Sequence, residues 1–92
     1  MLIVEWKWSA IEDLKEIIGY IAQFNPMAAD MLESQILESS QRLSDHPYSG
    51  RDGKADGTRE LLVHANYFLV YKVTSKIEIV NVVHTRKKYP LH

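Results

Sequence analysis

The hydrophobic periodicity of this chain changes once, near its middle, and that change restricts the folds open to it. Between residues 9 and 43 apolar side chains recur every three or four positions: Ile11, Leu14, Ile18 and Ile21 mark one face, and Ala28, Leu32, Ile36 and Leu43 another. This is the spacing of amphipathic helices. Beyond residue 57 the pattern becomes short runs rich in β-branched and aromatic residues, at 58–63, 67–73 and 77–83, which read as strands. One more such run, Leu2-Ile3-Val4-Glu5-Trp6, precedes the helices. The order is βααβββ. With helices grouped and strands grouped, the expected fold is α+β, a helical hairpin packed on one face of a small, largely antiparallel sheet.

Local signals set the boundaries. Ser9-Ala10-Ile11-Glu12 has capping-box form and predicts a first helix running to about Gln23. Asn25-Pro26 supplies an N-cap and a proline at the first position of the second helix, which Asp45-His46-Pro47 ends. Ser49-Gly50, Asp52-Gly53 and Asp56-Gly57 mark 48–57 as loop. The links 64–66 and 74–76 are short enough for antiparallel hairpins. The strand Leu2 to Trp6 is expected to pair with a later one, because alone it leaves its backbone groups without partners.

At 92 residues the chain is expected to form one domain, 1–92, since this length buries only about 60 to 65% of its unfolded surface. It contains no cysteine, so disulfides, thiol chemistry and cysteine-rich zinc sites are excluded. Glu5, Lys7, Glu12 and Asp13 interrupt any amino-terminal signal segment, and no run approaches the roughly 20 apolar residues of a membrane span. A cytoplasmic protein without a membrane partner is expected. There is no glycine-rich phosphate loop, metalloprotease helix or Gly-x-Ser-x-Gly elbow. His46 and His64 lack spaced partners, so neither metal nor cofactor is expected. So short a chain leaves little room for an enclosed pocket of roughly 300 to 1,000 Å³. A macromolecular partner is therefore expected, not a small-molecule substrate.

Charge is separated along the sequence. Residues 1–50 hold three cations against eight anions, or -5; residues 51–92 hold eight against four, or +4. The cations gather at the end of the last strand, in His84-Thr85-Arg86-Lys87-Lys88-Tyr89-Pro90. Strict alternation places Val80, Val82 and His84 on one face and Ile79, Asn81 and Val83 on the other. Two roles fit this cluster. In one, His84 is a general acid or base, Arg86, Lys87 and Lys88 hold phosphates, and Tyr89 stacks or transfers a proton. In the other, His84 caps the sheet edge and the cations are a solvated tail. Arg59 offers a planar fork suited to phosphate or carboxylate, or an ion pair with Glu60 or Glu78. Arg51 and Lys54 extend the same possible patch. Tyr67 and Tyr71 share a strand face and read as core or core rim.

Taken together, Asp13-Leu14, Ile17, Tyr20-Ile21, Ala28-Ala29, Leu43, His46-Pro47, Gly50-Arg51, Gly57-Thr58-Arg59-Glu60-Leu61, Tyr67, Tyr71 and His84-x-Arg86-x-x-Tyr89-Pro90 resemble the RelE/ParE superfamily of toxins across essentially the whole chain. The nearest branch is ParE. This resemblance implies a type II toxin-antitoxin module, whose toxin arrests growth until an antitoxin encoded by an adjacent gene wraps it. ParE-like members poison DNA gyrase; RelE-like members cut mRNA on the ribosome. The resemblance favours the gyrase poison, with the ribosome-dependent endoribonuclease as alternative and a non-toxic protein-binding module as a third possibility. On the ribonuclease alternative, His84 or Tyr89 would serve as acid or base, and Arg59 and Arg86 would stabilise the phosphorane. On either toxin reading, Arg51, Lys54, Arg59, Arg86, Lys87 and Lys88 are candidate target-binding residues.

Overall fold

The computed structural model describes residues 1–87. Its elements are β1 (Val4–Trp6), α1 (Trp8–Ala22), α2 (Pro26–Arg42), β2 (Arg51–Asp52), β3 (Arg59–His64), β4 (Tyr67–Val73) and β5 (Ile77–His84). The five strands form one sheet in the order β1-β5-β4-β3-β2. Strand β1 runs parallel to β5, and every other neighbouring pair is antiparallel. The α+β architecture read from the sequence is the one observed.

Both helices lie on one face of the sheet. Ala10 of α1 and Leu32 and Ile36 of α2 are buried with Leu43, Leu69, Tyr71, Ile77 and Ile79, while Leu14, Ile17, Ile18 and Ile21 pack against that core. The second helix starts as expected: Pro26 opens it, and the Asn25 side-chain oxygen accepts from the Ala28 N–H at 3.1 Å. The first helix does not use its capping box. Lys7 occupies the N-cap position without a side-chain cap, and its own N–H donates to the Ile79 carbonyl at 2.8 Å. Strand pairing thus continues to the residue where the helix begins. That leaves Ser9 inside the first turn, and its hydroxyl donates to Val80 O of β5 at 2.6 Å.

The segment 48–57 also departs from a plain loop. Arg51 and Asp52 pair with Glu60 and Arg59 as a short edge strand. A Cβ added to Gly50 would stand 2.6 Å from the Glu60 carbonyl oxygen and 2.7 Å from the Tyr71 hydroxyl, so this strand approaches its neighbours too closely for any side chain there. The fully buried Tyr71 fixes the approach: its hydroxyl accepts from the Gly50 N–H at 3.0 Å and donates to Pro47 O at 2.8 Å.

The alternation expected along the last strand is broken. The β4–β5 register shifts between Val70 and Tyr71, which face Asn81 and Ile79 and leave Val80 without an opposite residue. This β-bulge moves Val80 onto the open face with Phe68, Val70 and Val83, while Ile77, Ile79 and Val82 serve the helical core. Val80 and Val82 therefore lie on opposite faces, not together.

Candidate functional site

The carboxyl-terminal end of β5 forms a groove with α1 and β4. Strand β1 stops pairing at Trp6 opposite Ile79, so the outer edge of β5 beyond that point needs other partners. Helix α1 supplies them. The Asp13 carboxylate accepts from the Val82 N–H and from the Asn81 side-chain amide, each at 3.0 Å, and Ser9 takes the Val80 carbonyl. These contacts join residues 68 to 71 positions apart, which is why sequence spacing gave no sign of Asp13's role.

Just past this clamp, Asp13, Glu16, Tyr20, Tyr67, His84 and Lys87 line a surface groove of about 370 Å³ with Ile17, Val82 and Val83. Its volume reaches the small-molecule range, but it is an open surface groove and not the enclosed pocket for which so short a chain leaves little room. The His84 ring stands edge-on to Tyr67, centroids 5.1 Å apart. Its Nδ1 accepts from the Arg86 backbone N–H at 3.0 Å, which leaves the proton of the neutral ring on Nε2. Tyr67 is the rim aromatic of its strand face and Tyr71 the core one. Arg86 and Lys87 are exposed immediately beyond the strand. Lys88 and Tyr89 lie outside the described residues.

Arg59 belongs to a different place. It pairs with Tyr71 at one end of β4, whereas His84 pairs with Tyr67 at the other. Four residues of strand separate the two levels by about 13 Å, at roughly 3.3 Å per residue. The guanidinium is also engaged: Nε and Nη2 donate to Gly50 O at 3.1 and 2.6 Å, Nη2 also to Tyr48 O at 3.3 Å, and Nη1 to Asp52 at 3.1 Å. It stacks 5.3 Å from the Tyr48 ring centroid. The ion-pair partner is Asp52, not Glu60 or Glu78. Arg51 takes Glu60 instead, at 2.9 Å, and Lys54 is exposed in the turn between β2 and β3. His84, Arg86 and Lys87 therefore share one end of the sheet, while Arg51, Lys54 and Arg59 surround the 48–58 segment. Among the described residues, no three His, Asp or Glu side chains gather in a way that could hold a metal ion, and no helix is long and apolar enough to cross a membrane.

Comparison with known proteins gives this arrangement a family. The Y4kP protein of Sinorhizobium fredii is 33% identical over 88 residues, covering 95% of this chain and 92% of its own length. Toxin RelE2 of Caulobacter vibrioides is 34% identical over 88 residues, covering 95% and 99%. A chain from the chromosomal ParDE toxin-antitoxin system of P. aeruginosa superposes with a TM-score of 0.82 at 21% identity, over 91% of this chain and 96% of that one; at that identity it supports the fold. The model of the ParE toxin of the type II toxin-antitoxin system parDE matches residues 4–89, a span that holds both the Arg59 clamp and the His84 groove. The chain belongs to the ParE toxin family, within the RelE/ParE superfamily of type II toxin-antitoxin systems.

Proposed function

We propose that this toxin arrests bacterial growth in the cytoplasm by binding DNA gyrase, without cleaving RNA itself. The observation that carries this is the separation of Arg59 from His84. Cleavage at a ribose 2'-hydroxyl requires a base within hydrogen-bond reach and free donors around the charged phosphorane. Arg59 has its donors committed to Gly50, Tyr48 and Asp52, at the end of β4 remote from His84. A poison acts by contact alone and needs no such convergence. The match to the ParE model supports the same assignment. In the deciding experiment, purified toxin is added to gyrase and relaxed plasmid. Loss of supercoiling with accumulation of cleaved DNA is expected; full supercoiling at toxin excess would remove the proposal.

The ribosome-dependent ribonuclease has one specific support, the Caulobacter relative that bears the name RelE2. On this alternative, His84 with Arg86 and Lys87 would form the cleaving end. Primer extension on mRNA from induced cells would then show codon-positioned cuts, which His84→Ala abolishes; intact transcripts exclude it.

A cognate antitoxin is the second partner of the proposal. Tyr20 and Phe24, in edge contact at 5.3 Å, and Met27 and Met31 are between 64% and 74% exposed near the turn of the helical hairpin. Tyr20 also lines the His84 groove, so an antitoxin segment seated on this apolar surface would cover the groove too. Met27→Glu with Met31→Glu is expected to keep the toxin folded and weaken rescue by the adjacent gene product. Undiminished rescue would place the antitoxin elsewhere.

A further inference from the structure

Glu60 is the only charged side chain among the described residues in the buried class, at 4% exposure. Its Oε1 receives both Arg51 contacts, from Nε at 3.0 Å and Nη2 at 2.9 Å. Its Oε2 is shut off from solvent and receives no hydrogen bond. A buried carboxylate oxygen without a donor is uncommon, because its lost hydration is left uncompensated. Beside Glu60 lies a cavity of about 310 Å³, bounded by the 49–51 segment, Leu61, Leu62 and Phe68. It sits on the sheet face opposite the helices, where Phe68 packs with Val70 and Val83.

We propose that this cavity receives a tryptophan side chain from a protein partner, its indole N–H donating to Glu60 Oε2. Three features select that chemistry. The Glu60 charge is already balanced by Arg51, so the vacancy calls for a neutral donor; a second cation would face Arg51. The remaining side-chain walls are largely apolar, which suits a large flat ring. Indole is donor-only, whereas a phenol hydroxyl would carry acceptor lone pairs against Leu62 and Phe68. Arg51, 77% exposed on the edge strand β2, is the movable wall. For the ring to reach Oε2, the Arg51 guanidinium swings outward and gives up at least one of its two contacts with Oε1. Leu62, 66% exposed, stands at the rim. The proposal does not depend on which macromolecule the toxin acts on.

The test is a titration of the full chain with N-acetyl-tryptophan amide, followed by amide chemical shifts. Saturable shifts at Gly50, Arg51, Glu60, Leu62 and Phe68 are expected in the millimolar range. N-acetyl-1-methyl-tryptophan amide keeps the ring and loses the donor. It should bind at least about tenfold more weakly, the effect of losing a hydrogen bond to a charged acceptor. Leu62→Glu, at a position 66% exposed, should weaken the parent probe several-fold with the fold retained by circular dichroism. Equal binding of the methylated probe would overturn the proposal, as would shifts centred elsewhere or no saturation. Tighter binding of N-acetyl-tyrosine amide would overturn the choice of indole.

Discussion

Arg59 provides the sharpest test, because a catalytic and an architectural arginine respond differently to replacement. Its Nε and Nη2 both donate to the carbonyl of the buried Gly50, so Arg59→Ala strips that oxygen of a charged donor pair. Such a loss costs about 1.5 to 3 kcal/mol. Stacking on Tyr48 adds about 0.5 to 1 kcal/mol at a partly exposed site. The Asp52 contact adds little, since that side chain is 93% exposed and water screens the pair. A total of about 2 to 4 kcal/mol results, and for a domain this small each kcal/mol lowers the melting temperature by roughly 4 to 8 °C. Thermal unfolding followed by circular dichroism should therefore show a fall of roughly 8 to 32 °C. Arg59→Lys should fall nearly as far, since an ammonium cannot reproduce the fork, while Asp52→Ala should change stability by less than about 1 kcal/mol. If Arg59→Ala melts within about 2 °C of the native chain, the clamp is not structural and the argument against a catalytic role fails with it.

Asp13→Ala leaves the Val82 N–H and the Asn81 amide without their acceptor; a loss of about 1 to 3 kcal/mol in urea unfolding is expected, with faster hydrogen exchange confined to the end of β5. Gly50→Ala forces a methyl group against Glu60 O and the Tyr71 hydroxyl and should cost about 1 to 3 kcal/mol in the same assay. On the open face, Lys7 lies 2.9 Å from Glu5 and 3.2 Å from Glu78, and Lys76 lies 3.1 Å from Glu5. Hydrogen bonds from Lys7 and then Lys76 hold the Glu5 pKa below its ordinary 4.5, and the Thr74 hydroxyl and then Lys7 do so for Glu78. Depressed carboxylates stabilise the fold above their unfolded pKa and lose that contribution as pH falls through the folded one. The stability difference between the native chain and Lys7→Met should therefore shrink as pH is lowered from 6 to below about 4, and shrink with added salt. A difference that is constant with pH would contradict the network.

The helical hairpin was legible because its determinants are local. Asn25 caps and Pro26 opens the second helix through contacts within a single turn, and a stripe of Leu and Ile at helical spacing must find a core. The strand runs were legible for the same reason, with β4 expected at 67–73 and found at Tyr67–Val73. Ser9 was the informative failure. Its capping-box pattern is genuine, but pairing of Lys7 with Ile79 carries the strand to the helix start, and the hydroxyl finds a carbonyl in β5 instead.

The resemblance to the superfamily was also readable from residues dispersed over the whole chain, and it places the protein among the ParE toxins. Sequence could not show that the basic residues divide into two sites. Arg59, Arg86 and His84 look like one constellation when read as a list of reactive side chains, yet the antiparallel β3–β4–β5 register sends Arg59 and His84 to opposite ends of the sheet. The same holds for the bulge that turns Val80 away from Val82, for Asp13 reaching β5, and for a carboxylate buried at Glu60. Periodicity and capping depend on neighbours within a turn or two and are therefore written in the sequence. Register, bulges and buried polar partners depend on which distant backbone atoms meet, and only the assembled sheet with its helices settles them.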